Sequence, residues 1–340
     1  MRFLKGLLVF VAALVALLVV VAFFLPKTAH VERSITIDRP SSEVFGVLNN
    51  IHRFNAWSPW FDLDPNAKYT YSGPATGVGA KLAWAGNKDV GSGSQEFIES
   101  KPNQSLKVQL DFGEMGRPVA EWRLAPIGSS GTKVTWTLDQ SFEGSLIGRY
   151  FGLMMDSMVG KDYDKGLAKL KTLVETFPAA DISGISGETV GLTAQKIYFV
   201  SVGPLPVNDM AGIKAAITAA YAKIGEFLKA NSLAMQGAPL TITTSYDQSG
   251  WKFDAAAPVA ANDIAPSGDV KAGATYAGKA VQFVHVGPYD KLGDTITKAY
   301  AWLAVQGLKP KDRLIEEYVS DPGNTPAEQL KTLVKIPVES

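Results

Sequence analysis

The chain has 340 residues, 33 basic against 33 acidic, a formal net charge of zero and no cysteine. With no dense Lys/Arg stripe, this balance argues against a nucleic-acid partner, whose phosphates demand a positive footprint. Lack of cysteine excludes disulfides, thiolate metal sites and a cysteine nucleophile, and His30, His52 and His285 are too far apart for a metal-binding motif, so no metal or cofactor is expected.

The first element is an apolar run from Gly6 to Leu25, twenty residues without a charge. At 1.5 Å per residue it spans roughly 30 Å, the thickness of a bilayer's hydrocarbon core. Arg2 and Lys5 precede it, favouring a cytoplasmic N-terminus and export of the remaining chain; Lys27 and Arg33 lie just beyond it. The alternative is a cleaved signal peptide, whose apolar region is usually about 7–15 residues and ends in small residues. This run ends in Phe23, Phe24, Leu25 and Pro26. The expectation is an uncleaved single-pass anchor over residues 1–27 in the inner (cytoplasmic) membrane. Residues 6–25 would contact the lipid bilayer, with the soluble domains on the periplasmic side.

Val31 to Ile37 alternates as a strand, and Ser41 or Ser42 can cap a short helix carrying Val44, Phe45, Val47 and Leu48. Short strands follow at 69–71, 80–85, 93–98, 105–112, 119–125 and 133–138, separated by Gly, Pro and Asn, the pattern of an antiparallel meander. One long helix is expected from Leu146 to about Val174, with Met154, Met155, Met158, Leu167, Leu170 and Val174 on its apolar side. A curved sheet closing around that helix makes a first domain over 31–177, able to enclose a cavity. Its glycine-rich spots, 73–79 and 91–93, lack the strand–GxGxxG–helix context of a phosphate loop.

Residues 178–194 are small, polar and glycine-rich, and mark a linker. The domain at 195–340 repeats itself. Tyr198–Pro204 precedes a helix over about 211–230, and Gln282–Pro288 precedes one over about 291–306. Each helix is followed by two strands, 241–246 with 251–257 and 314–319 with 333–338. Two such strand–helix–strand–strand units form one sheet, both helices on one face and an open face opposite. The class is α+β.

The segment VERSITIDRPSSEVFGVLNNIHRFNAWSPW and the long terminal helix resemble the polyketide cyclase/dehydrase (START-like, SRPBCC) superfamily over about 31–174. That resemblance implies a helix-grip fold around an apolar cavity. The second domain resembles the GyrI-like effector-binding domain over about 195–339. The resemblance rests on two Val-Gly-Pro turns, Gly287-Pro288-Tyr289, Glu316-Glu317-Tyr318, Asp321-Pro322 and Ile336-Pro337-Val338. The family's binding-site acid matches Glu316, and some relatives are thought to hydrolyse electrophilic ligands with that acid.

On a strand, Leu314, Glu316 and Tyr318 share one face and Ile315, Glu317 and Val319 the other. Packing Ile315 and Val319 under the helices leaves Glu316 and Tyr318 on the open face. There a carboxylate among rings would attract flat cations. Thr244 and Tyr246 take the places of Glu316 and Tyr318 in the first repeat; Trp251 and Phe253 form an aromatic wall, or plain core. His285 could face the groove or be structural, and Tyr289 could close one end. In the first domain Trp57, Trp60, Trp84, Trp122 and Trp136 offer an adaptable lining, with Trp84, Trp122 and Trp136 as the contacts expected, or simply fill the core. No nucleophile–base–orienter chain emerges, so no catalytic residue is assigned. The expected function is binding of hydrophobic or cationic small molecules by an envelope protein without covalent chemistry. A cyclase-like or hydrolytic enzyme and an accessory protein-interaction module are the alternatives.

Overall fold

The computed structural model describes residues 2–128 and 130–339. The chain divides after Asp181 into two compact units.

The first unit opens with α1 (Arg2–Phe24). Its span Phe3–Phe24 is the one helix among the described residues long and apolar enough to cross a membrane. Strand β1 (Thr28–Ile37) follows, then α2 (Ser41–Leu48). The meander comprises β2 (Lys68–Ser72), β3 (Lys81–Ala85), β4 (Ser92–Lys101), β5 (Ser105–Asp111), β6 (Val119–Ile127) and β7 (Gly131–Ser141). All seven strands form one antiparallel sheet in the order β1-β7-β6-β5-β4-β3-β2. The expected long helix is two helices, α3 (Leu146–Gly152) and α4 (Met155–Val174). The Ser145 side chain caps α3 by accepting from the Gly148 N–H at 2.9 Å.

Helix α4 buries Gly160, Tyr163, Gly166, Leu167, Leu170 and Val174. Steps of three and four residues place these on one side, over the sheet. Gly166 is required there: a Cβ would meet the Trp136 ring at 2.8 Å and Pro59 at 3.1 Å. The periodicity does not extend backwards as expected, because Met154 and Met158 are exposed. Ahead of the break, α3 packs Gly148 and Gly152 against the Phe142 ring.

The second unit contains β8 (Glu188–Leu192), β9 (Lys196–Leu205), α5 (Met210–Ala230), β10 (Leu240–Asp247), β11 (Gly250–Val259) and β12 (Lys271–Ala274). After these come β13 (Gly278–Val286), α6 (Leu292–Gln306), β14 (Ile315–Tyr318) and β15 (Lys331–Pro337). The sheet order is β12-β9-β11-β10-β14-β15-β13-β8. Two strand–helix–strand–strand repeats therefore meet at β10 and β14, and β12 and β8 extend the edges. Strand β8 lies within the segment that composition marks as a linker.

Both helices cover the same face. Val200 and Ala255 pack with Ala220, Ile224 and Phe227 of α5, while Phe283 and Val334 pack with Leu292, Ala299 and Leu303 of α6. The opposite face is not open at its centre. Ile197, Leu240, Ile242, Ala256 and Ile315 form a buried cluster there, against Leu192, Phe199 and Tyr276.

Candidate ligand-binding site

Glu316 sits at the middle of the second sheet, opposite Thr241 on β10 and Val334 on β15. Paired residues in a sheet point the same way, and Val334 packs with α6. Glu316 is therefore on the helix-covered face, and the expectation of an open face is corrected. The pattern misleads because Ile315, on the other face, is equally buried.

The carboxylate is 4% exposed. Its Oε2 accepts from the Tyr318 hydroxyl at 2.7 Å and from Thr241 Oγ1 at 3.0 Å; those two hydroxyls also lie 3.0 Å apart. Burial raises the Glu316 pKa above the ordinary carboxylate range, and the two hydroxyl donors pull it partly back. Burial and then the Glu316 charge keep the Tyr318 proton on. Tyr289 meets Tyr318 edge to face at 5.5 Å. From α5, the Tyr221 hydroxyl donates to the Leu240 carbonyl at 2.6 Å; its pKa is raised by burial first, then by the charges of Glu316 and Tyr289. The acid is thus bonded to one phenol, Tyr318, whose ring carries Tyr289, and its charge is felt by a second phenol, Tyr221 of α5. Thr332, fully buried opposite Tyr318, has a hydroxyl without a hydrogen-bond partner among the described residues.

Thr241, Tyr221 and Thr332 were not singled out in the sequence. Thr241 faces Glu316 through the continuous β10–β14 register, whereas Thr244 falls at a bulge between Thr243 and Ser245 in the pairing of β10 with β11. Tyr246, beyond the bulge, is 70% exposed and five residues from Thr241, about 16 Å along the strand. It is not part of the cluster around Glu316. Phe253 is fully buried in the core under α5, while Trp251 is half-buried, packs on Phe253 at 4.1 Å and donates its indole N–H to Thr243 at 3.0 Å. Glu317 points away and pairs with Lys335.

His285 is buried beneath α6, its Nδ1 at 2.8 Å from Thr295 Oγ1 and its Nε2 at 3.3 Å from the Pro288 carbonyl. A carbonyl can only accept, so Nε2 carries the proton and Nδ1 accepts from the hydroxyl. Both nitrogens are engaged, away from Glu316. His285 instead borders a cleft of about 330 Å³ with Ser183, Val286, Lys291 and Asp294.

In the first unit Trp122 and Trp136 are paired across β6 and β7 and stack at 5.0 Å. Trp57 meets both edge-on, at 6.0 and 5.6 Å, and Trp136 stacks on Tyr163 of α4 at 3.6 Å. These rings fill the space between sheet and helix. The indole N–H groups of Trp57, Trp122 and Trp136 have no hydrogen-bond partner among the described residues. Trp84 is half-buried near the strand end, edge-on to Phe112 at 5.9 Å and lying across Gly93, where a Cβ would meet it at 2.8 Å. No group of three or more His, Cys, Asp or Glu residues suited to a metal ion occurs among the described residues.

Two family models match. One, described as polyketide cyclase / dehydrase and lipid transport, covers residues 28–175; the other, a GyrI-like small molecule binding domain, covers 192–339. No curated protein sequence matches the chain. Among solved structures, the C-terminal domain of EcmrR is similar at 17% identity, covering 46% of this chain and 99% of that one, with a TM-score of 0.40. A hydrolase from Listeria innocua is similar at 18% identity over 50% and 98% of the two chains, TM-score 0.33. Norcoclaurine synthase from Thalictrum flavum, in complex with dopamine and hydroxybenzaldehyde, is similar at 15% identity over 44% and 87%, TM-score 0.34.

Proposed function

We propose that this chain, which joins a polyketide cyclase/dehydrase domain to a GyrI-like small-molecule binding domain, is a membrane-anchored receptor for flat, hydrophobic cations. It would be held by α1 with both domains on the outer side of the cytoplasmic membrane, and bind without covalent chemistry. The observation that carries the reading is Glu316: a buried acid held by two hydroxyls, with the Tyr289 ring against Tyr318. A cation entering there replaces a costly unpaired charge by an ion pair, and the rings add cation–π attraction. Ionised Glu316 is the binding form, and its pKa is raised. Affinity for a cation therefore rises with pH through the Glu316 titration and levels off above it.

Titration calorimetry with a hydrophobic cationic dye tests this. Glu316→Gln is expected to weaken dye binding by roughly 1–3 kcal/mol, the worth of one charge-assisted contact, to flatten the pH dependence and to leave a neutral analogue unaffected. Mass spectrometry of the mixture should return the dye unchanged. Equal dye affinity in wild type and variant would reject the charged site, and a modified dye would reject binding without chemistry.

A further inference from the structure

Helix α3 is fastened to α1 by polar bonds high on an otherwise bare helix. The Tyr150 hydroxyl donates to the Leu18 carbonyl at 2.6 Å, and Arg149 Nη1 donates to the Ala22 carbonyl at 2.9 Å. Arg149 is buried, and a cation suits this end of α1, where the last carbonyls lack intrahelical partners. Leu18 lies six residues before Phe24, about 9 Å below the helix end. The 22-residue span is about 33 Å long against a hydrocarbon core of about 30 Å. A helix tied at Leu18 and Ala22 then cannot stand clear of the headgroups.

Its outward side suits that place. Ile147, Phe151, Met154 and Met158 recur at helical spacing across α3 and the start of α4, and each is more than half exposed. Gly148 and Gly152 turn the other way, onto Phe142. The neighbouring acid Asp156 is occupied by Arg33 at 2.8 Å. Such a stripe is what soluble surfaces avoid and interfacial helices use. The same end of the sheet carries Met115, 76% exposed on the turn Gly113–Met115: Val119, which starts β6, pairs with Asp139, and Ser141 pairs with Thr28, just after α1.

We propose that α3, the first turn of α4 and the Gly113–Met115 turn form a second membrane contact, seated in the headgroup layer beside α1. This rests on α1 being a membrane span. The partner is the lipid bilayer itself, since α3 is bonded directly to the segment that enters it.

Because the chain has no cysteine, single substitutions give unique labelling sites in the full protein. Val15→Cys, Met115→Cys, Phe151→Cys, Met158→Cys and Ile127→Cys would each carry a nitroxide in phosphatidylcholine–phosphatidylglycerol vesicles. Collision rates with oxygen and with a water-soluble nickel chelate then report depth. Ile127 ends β6 at the far end of the strand from Val119, about 27 Å away. The expected result is oxygen-dominated collision at 15, an oxygen-to-nickel ratio at 115, 151 and 158 several-fold above that at 127, and water-like values at 127. If 15 is immersed while 151 and 158 match 127, the second contact is overturned and the anchor stands. If 15 itself is water-exposed, the anchor reading falls and the second contact with it.

Discussion

Glu43 in the first unit and Glu316 in the second are both withdrawn from water, at 0% and 4% exposure, and burial raises both pKa values, that of Glu43 to about 7. Their partners differ in kind. Glu43 accepts from the Ala180 backbone N–H at 2.6 Å and has the Arg39 guanidinium 3.8 Å away. It fastens the chain after α4 to α2. Among the described residues Glu316 has the hydroxyls of Thr241 and Tyr318 as its side-chain partners, and no cation contributes to its titration. Hydroxyl donors rotate and also accept, whereas a backbone N–H is fixed. An acid tied to backbone and arginine closes a fold. One held by hydroxyl rotors, with no cation beside it among the described residues, is the acid to which the proposed function assigns an incoming cation. The ring clusters differ too: Trp57, Trp122, Trp136 and Tyr163 pack upon one another in the first unit, whereas in the second Tyr318 bonds the carboxylate and carries Tyr289 on its ring.

This division between the two units can be attacked at several strengths. Trp136→Ala removes a fully buried ring touching Trp57, Trp122 and Tyr163, and is expected to cost about 3–5 kcal/mol. Denaturant unfolding should show the loss, while dye binding at Glu316 is unchanged in the folded protein; a changed dye affinity would contradict the division of labour. Glu43→Gln comes next. The folded-state pKa lies above an unfolded value near 4.5, so stability is highest below that value, declines as pH rises toward about 7 and is flat beyond. Removing the charge should abolish this decline and stabilise the protein at pH 8 by up to about 3 kcal/mol. Parallel pH profiles for variant and wild type would show that Glu43 is not the titrating group.

Thr241→Val deletes one of the two donors to Glu316 and keeps the shape. Dye binding should weaken by about 1 kcal/mol, and the rise of affinity with pH should shift upward because the carboxylate loses a stabilising bond. Calorimetry at several pH values measures both. The smallest effect belongs to Glu317→Gln, which breaks the partly exposed pair with Lys335 on the opposite face. A stability change of about 0–1 kcal/mol with unaltered dye affinity is expected. Loss of affinity equal to that of Glu316→Gln would mean the two faces had been confused.

Much of this architecture can be read from local chemistry. The charge-free run before Pro26, the strand spacing between residues 69 and 138, and the repeated Val-Gly-Pro turns before two helical segments are each set by near neighbours. Period and turn chemistry express that directly. The pairing of Glu316 with Tyr318 on one face also comes from a strand's alternation alone. Which face received the helices does not. Ile315 and Glu316 are both buried at the centre of an eight-stranded sheet, so polarity carries no direction there, and only the packing of α5 and α6 decides. Thr241 became the partner of Glu316 through the register of β10 on β14, strands some 75 residues apart whose alignment composition does not mark. Met154 and Met158 fit a core helix by spacing, but bonds from Tyr150 and Arg149 to carbonyls of α1, over 120 residues away in sequence, turn that segment outward. Periodicity reports that a face is apolar; what covers it is settled by contacts between distant parts of the chain.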